Sequence, residues 1–237
     1  GGYVENALPF ACAVEMVHTY SLIHDDLPCM DNDFLRRGRP ANHIANGEAM
    51  ALLAGDALLT RAFEVMLCDE TIKLVGAEAA AMAAGCLARS IGVLGMIGGQ
   101  VIDLESEEKN LTQVALDKMH SLKTGALITA AAKIGCIAAQ ANKNEILAAQ
   151  SYANSIGLAF QIMDDILDVT STSDELGKNV GSDLAAQKST YVSCMGIEKS
   201  KRTVLQLTEN AIKSLKVFGD KKEFLQIFAQ DLSKRKR

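Results

Sequence analysis

The sequence predicts an all-α fold, and three observations lead there. The 237 residues hold three prolines, Pro9, Pro28 and Pro40, and none in the 197 that follow. Apolar residues make up 49% and aromatics only 5%, with Ala and Leu dominant and Trp absent. Such runs, rich also in Met, Gln and Glu, favour helices, because these side chains lose little rotamer freedom there. Finally, no alternating apolar–polar stretch of convincing length reads as a strand.

The helices are expected in order. The first spans 4–26 and ends at Pro28, which disfavours helical backbone in the residue before it. Helices over 47–68, 71–102, 112–138 and 143–169 follow, then shorter ones over 187–194 and 198–215 and a last one after Gly219. Glycines such as Gly76, Gly85, Gly98, Gly99, Gly125, Gly135, Gly157 and Gly196 punctuate them as C-caps or close helix contacts. The polar stretch 170–187 is the longest loop candidate, and a loop of that length in a compact domain is usually functional. Length suffices for one large core, and no repeat or linker divides the chain, so 1–237 reads as a single domain.

Composition excludes several classes. A net charge of −5 argues against a nucleic-acid partner. Six cysteines without a C-x-x-C pair and four dispersed histidines argue against zinc, and read as reduced core residues of a cytoplasmic protein. No uninterrupted run of 18 apolar residues occurs, Lys133 breaking the best candidate at 125–139, so stable membrane insertion is not expected. No signal-peptide pattern opens the chain, which starts at Gly1 rather than Met, as a fragment would. The basic tail Lys234–Arg237 reads as a solvated terminus.

Two aspartate clusters carry the functional signal. Asp25, Asp26 and Asp31 follow Ser21-Leu-Ile-His24; Asp164, Asp165 and Asp168 follow Phe160-Gln-Ile-Met163. Ionised carboxylates in such apolar surroundings cost several kcal/mol each unless a cation offsets their desolvation. No Arg or Lys lies within either cluster, and carboxylate oxygens suit Mg²⁺ shared with substrate phosphates. Asp164 and Asp168 share a helix face at i, i+4, where like charges repel without a cation. Pro28 places the first cluster at a cavity rim. A single Asp pair is ordinarily a helix cap or a solvated surface; two such clusters in apolar helices point to metals clamping a polyphosphate. Nearby Arg36 and Arg37 offer bidentate grips on diphosphate oxygens, although alone such a run reads as solvated. Lys123 lies in a largely apolar helical run, where snorkelling to the surface is the alternative, and Lys178 and Lys188 flank the polar loop.

The string from Tyr20 to Gly38 closely resembles the first aspartate-rich motif of trans-polyprenyl diphosphate synthases. Ala54-Gly-Asp-Ala-Leu-Leu59, Gly98-Gly-Gln-Val-Ile-Asp103, Lys123-Thr-Gly-Ala126, Phe160 to Asp168, and Gly177-Lys through Gly181-Ser-Asp-Leu to Lys188-Ser-Thr-Tyr191 follow in the family's order. The chain is similar to a bacterial-type farnesyl or geranylgeranyl diphosphate synthase over residues 7 to about 200. The resemblance implies a large antiparallel helical bundle around an apolar cavity (isoprenoid synthase-like). It implies ionisation of a dimethylallyl or geranyl diphosphate and condensation with isopentenyl diphosphate to farnesyl diphosphate. Geranylgeranyl diphosphate as product, a terpene cyclase and a non-catalytic partner subunit are the alternatives. By the same resemblance Asp25, Asp26, Asp31, Asp164, Asp165 and Asp168 ligate three Mg²⁺ with substrate bound. Arg36, Lys123, Lys178 and Lys188 hold the allylic diphosphate, and His18 and Arg37 touch isopentenyl diphosphate. Thr124 and Gln161 present oxygen dipoles to the allylic cation, Tyr20 and Ser21 limit chain length, and the protein is a homodimer. The family's Gly-Lys-Arg-x-Arg-Pro segment has no counterpart, so the fold's N-terminal helices are expected to be missing, and with them two basic groups for isopentenyl diphosphate.

Overall fold

Helix follows helix along the chain, as composition demands. The structure, a computed structural model, describes residues 2–106, 109, 111–170 and 189–235. Of the loop expected at 170–187, Thr170 belongs to a helix, and the rest, with Lys178 and the adjoining Lys188, lies outside the described residues. Contacts divide the chain into an N-terminal unit (2–85 with 137–140) and a C-terminal unit (86–136 with 141–235).

In the N-terminal unit α1 (Val4–Asp25) packs along α3 (Glu48–Leu67). Phe10, Ala13, Val17 and Tyr20 recur at helical spacing and are buried, as are Ala51, Ala62 and Met66 of α3. Short α2 (Asn42–Asn46) and α4 (Asp69–Val75) complete it. Between α1 and α2 a hairpin of two-residue strands, β1 (Leu35–Arg36) and β2 (Arg39–Pro40), had no sequence expectation. Its turn residues Arg37 and Gly38 have φ of 53° and 73°, the paired positive values of a type I′ turn, and Gly38 is the signal that could have found it.

The expected helix at 71–102 is three helices: α4, α5 (Ala77–Ile91) and α6 (Met96–Glu105). Gly76 ends the first at φ 88°, where a side chain would strain the backbone. The expected helix at 112–138 consists of α7 (Gln113–His120), a π-turn (Ser121–Gly125) and α8 (Ala126–Ala138). By length and mean hydropathy alone, Ala77–Glu105 and Gln113–Ala138 could each cross a membrane, a match that buried core helices also make. Helix α9 (Lys143–Thr170) is the core of the C-terminal unit, buried nearly all round from Ala149 to Asp168. Against it pack α10 (Tyr191–Met195) and α11 (Ile197–Ser214), followed by a 3₁₀ segment (Leu215–Lys222) and α12 (Glu223–Leu232).

Candidate active site

The first aspartate cluster stands at the carboxyl end of a helix, where Asp25 closes α1 and Asp26 caps it, while Asp164, Asp165 and Asp168 lie along α9. Orphaned carbonyls concentrate partial negative charge at such ends, so added carboxylates call for cations.

At the end of α1 the cation comes from the hairpin. Arg36 donates from Nε to both oxygens of Asp26, at 3.1 and 3.2 Å, and its Nη2 makes a further close contact with Oδ1. The same Nη2 reaches Asp33 at 3.4 Å. Asp26 is only 2% exposed, and its hydrogen bonds hold the Arg36 guanidinium above its ordinary pKa. Arg36 and Asp26, expected to serve diphosphate and metal, therefore hold one another in this structure. The loop after the helix folds back, the Asp31 amide donating to the Asp25 carbonyl at 2.9 Å, which brings these two half-buried aspartates together. Arg37 is exposed and makes no ion pair among the described residues. Tyr20 is buried with its hydroxyl unpartnered among the described residues, and stands edge-on to His24 at 5.7 Å. The Ser21 hydroxyl turns back to the His18 carbonyl at 2.8 Å, inside its own helix.

In the C-terminal unit the π-turn carries Lys123 and Thr124, both half-buried. Lys123 does not snorkel: its ammonium donates to Asp103 of α6 at 2.6 Å, with side-chain exposures of 23% and 14%. Gly99 permits this approach, since a Cβ there would lie 2.1 Å from the Lys123 nitrogen. Inserted π-turns are frequent at functional sites, and this one re-aims the residues after His120.

Asp164 has partners on two sides. Gln161 donates to it at 3.4 Å, and Arg235 of the tail forms a close ion pair with it. The Arg235 guanidinium also sits 4.4 Å above the centre of the Phe160 ring, and its burial lowers its pKa. At Arg235 the tail is thus folded onto the site, not solvated as expected. Asp165 accepts the Tyr191 amide at 2.6 Å, and the Tyr191 hydroxyl donates to Asp117 at 2.8 Å. Asp165 therefore anchors the segment that enters α10, a structural duty that the sequence did not announce. Asp168 is 3% exposed.

His120 stacks on Tyr191 with centroids 5.5 Å apart, and neither ring nitrogen has a well-aligned partner among the described residues. Burial lowers its pKa to about 4; Asp103 and Gln161 pull upward too weakly to offset this. The folded state thus binds its proton less readily than the unfolded chain, whose histidine titrates near 6.5. Stability is complete above that value and is lost as pH falls towards 4, by at most about 3 kcal/mol. Urea midpoints at pH 7.5 and 5 should fall further apart for the parent than for His120→Phe; equal differences would remove His120 as the cause.

Among the described residues no three His, Cys, Asp or Glu side chains converge on one point as metal ligands. The donor chemistry still fits Mg²⁺, which takes hard oxygen ligands, often one or two carboxylates with water and phosphate completing the shell. Asp25 and Asp31 in one unit, and Asp164 and Asp168 in the other, are the candidates. Sequence reasoning gave no role to Asp103, Asp117, Tyr191 and Arg235; Asp103 and Tyr191 had a signal, each closing a quoted motif, Gly98 to Asp103 and Lys188 to Tyr191.

A largely helical chain thus carries one acidic cluster at the end of α1, another along α9, and a lysine on a π-turn between them in sequence. The sequence profile of the polyprenyl synthetase family matches residues 2–230, and the chain belongs to that family. It is 48% identical over 225 residues to the heterodimeric geranylgeranyl pyrophosphate synthase large subunit 1, chloroplastic, of Arabidopsis thaliana, covering 94% of this chain and 61% of that one. It is 49% identical over 222 residues to the geranylgeranyl diphosphate synthase of Cyanophora paradoxa, covering 93% and 73%. Among solved structures it is similar to an FPP/GFPP synthase from Zymomonas mobilis, with TM-score 0.84, 37% identity, and 97% and 76% coverage. A geranyltransferase from Legionella pneumophila gives TM-score 0.84 at 35% identity, covering 98% and 76%. The expected isoprenoid synthase-like fold class therefore holds.

Proposed function

We propose that this chain is the catalytic body of a Mg²⁺-dependent prenyl diphosphate synthase, which joins isopentenyl diphosphate to an allylic diphosphate. The observation that carries this is the presence of both aspartate clusters, one at the carboxyl end of α1 and one along buried α9, in a chain matched by the family over residues 2–230. Bound Mg²⁺ would neutralise the diphosphate as the C–O bond ionises. Asp25 and Asp31, and Asp164 and Asp168, are the residues proposed to hold it. Lys123, oriented by Asp103, adds a fixed positive charge for the leaving diphosphate. The Thr124 and Gln161 oxygens face the growing allylic charge as dipoles that cannot trap it covalently. The reaction needs water kept out, because water would quench the cation.

For the product we propose farnesyl diphosphate: Tyr20, which the family resemblance gives as a chain-length residue, is bulky and buried on α1 five residues before Asp25, roughly 7.5 Å along the helix axis. Geranylgeranyl diphosphate is the second reading, supported by the names of the Arabidopsis and Cyanophora relatives. Incubation with geranyl and isopentenyl diphosphates, dephosphorylation and chromatography separate the two. A fifteen-carbon alcohol that lengthens in Tyr20→Ala supports the first reading; a twenty-carbon alcohol from the parent overturns it in favour of the second. No turnover together with no calorimetric binding of geranyl diphosphate in Mg²⁺ would remove the catalytic reading itself.

We also propose assembly as a dimer, by light scattering twice the chain mass. The relative named as a heterodimeric large subunit makes a different second subunit the alternative to a second copy. Six cysteines without a disulfide among them fit a reducing compartment, the cytoplasm by our reading.

A further inference from the structure

Helix α1 ends on its metal-ligand candidates, and the end of a helix is its least secure part. The last carbonyls have no partner inside the helix, so backbone bonds alone let the final turn fray. Asp25 closes that turn and Asp26 caps it. If Asp25 is to keep one orientation, a contact outside the helix must fix the turn.

The preceding residue makes that contact. His24 is half-buried, and its ring donates from Nε2 to the Leu52 carbonyl of α3 at 3.0 Å. A carbonyl only accepts, so this nitrogen carries the ring hydrogen. The ring also meets Tyr20, one turn earlier, edge-on at 5.7 Å. Buried Gly55 of α3 supplies the space. A Cβ there would lie 2.0 Å from Nε2, 2.4 Å from Cδ2 and 2.7 Å from Cε1 of His24. Gly55 is the only glycine within Glu48–Leu67, and glycine inside a helix is less favourable than alanine. It belongs to Ala54-Gly-Asp-Ala-Leu-Leu59, a motif that holds none of the proposed site residues. The seat for the ring is a reason for glycine at this position.

We propose that His24 is a positioning residue: seated against Gly55 and bonded to Leu52, it fixes the rotation of the last turn of α1 and so the orientation in which Asp25 meets Mg²⁺. The inference rests on the metal role proposed for Asp25. Successive residues on a helix stand about 100° apart, so holding the His24 ring also holds the direction of its neighbour. The loop that follows hangs from the same turn. The Leu27 amide donates to the His24 carbonyl at 3.2 Å, and the Asp31 amide to the Asp25 carbonyl at 2.9 Å.

The test is calorimetric binding of geranyl diphosphate to the 237-residue chain as Mg²⁺ is varied, with melting temperature alongside. Gly55→Ala should evict the ring, which can swing on its own χ angles while both backbones stay in place. His24→Leu removes the donor. Each should raise the Mg²⁺ concentration at half-maximal binding by on the order of tenfold, as loss of support behind a metal ligand does. Alanine is the better helix former, so Gly55→Ala should keep its melting temperature while losing metal affinity. His24→Gln, whose Nε2 donor stands the same number of bonds from the backbone, should restore most of the parent midpoint. Gly55→Ala combined with His24→Leu should shift it no further than the larger single shift, because both remove one contact. Lower melting temperatures with an unmoved Mg²⁺ midpoint would show that the contact only holds the fold, and overturn the inference, as would multiplied losses in the double variant. A parent chain that binds no geranyl diphosphate in Mg²⁺ overturns the metal role and this inference together, whereas a binding parent with unshifted variants overturns this inference alone.

Discussion

Asp164→Asn should lower turnover of geranyl with isopentenyl diphosphate in Mg²⁺ by on the order of 10³-fold or more, and Asp25→Asn should do likewise. Asparagine keeps the size and loses the charge, so packing along α9 and at the end of α1 is preserved while the capacity to hold a divalent cation falls. At Asp164 the substitution also removes the carboxylate partner of Arg235, so some stability is lost there. The melting temperature should move little in Asp25→Asn, and reading it beside turnover in both variants separates lost chemistry from lost fold. Near-normal turnover in either variant would sink the assignment of that cluster.

Gly99→Ala should be strongly damaging to the C-terminal unit. Its Cβ would stand 2.1 Å from the Lys123 nitrogen and 2.5 Å from its Cα, both backbone atoms that no rotamer change can move aside. Either α6 or the π-turn must shift, a kind of overpacking that costs about 1–3 kcal/mol or somewhat more. A displaced π-turn also moves Lys123 away from Asp103, and misplacement by about 1 Å can cost on the order of 10²-fold in turnover. Gly135→Ala is the control: nothing lies within 4 Å of its Cβ, so the usual helix gain of up to about 1 kcal/mol should appear. Thermal melts of both variants with kcat alongside decide it. A Gly99→Ala protein as stable and active as the parent would show that the close approach does not position Lys123.

The fold class was legible because helix propensity is local and adds along a run. Long proline-free, Ala- and Leu-rich stretches bury whichever face presents apolar groups, as α9 does nearly all round. Helix interruptions were less legible. Gly76 was named as punctuation, yet only backbone closure shows that it breaks a helix at φ 88°. The π-turn has no sequence signature, because an inserted residue shifts the face without changing composition.

The site divides in the same way. Both aspartate clusters, Lys123 and the arginine pair could be singled out from residue type, since carboxylates in apolar helices make a cost visible in one dimension. The partners that lower this cost could not. Arg36 reaches Asp26 because a hairpin turns the chain, Arg235 reaches Asp164 across 71 positions, and Asp103 meets Lys123 because Gly99 lets two backbones touch. The sequence by itself determined the helical class, the acidic clusters and the lysine between them. Only the tertiary structure decided which cation faces which carboxylate, because electrostatic pairing depends on distance in space and on burial, and neither is a property of neighbouring residues along the chain.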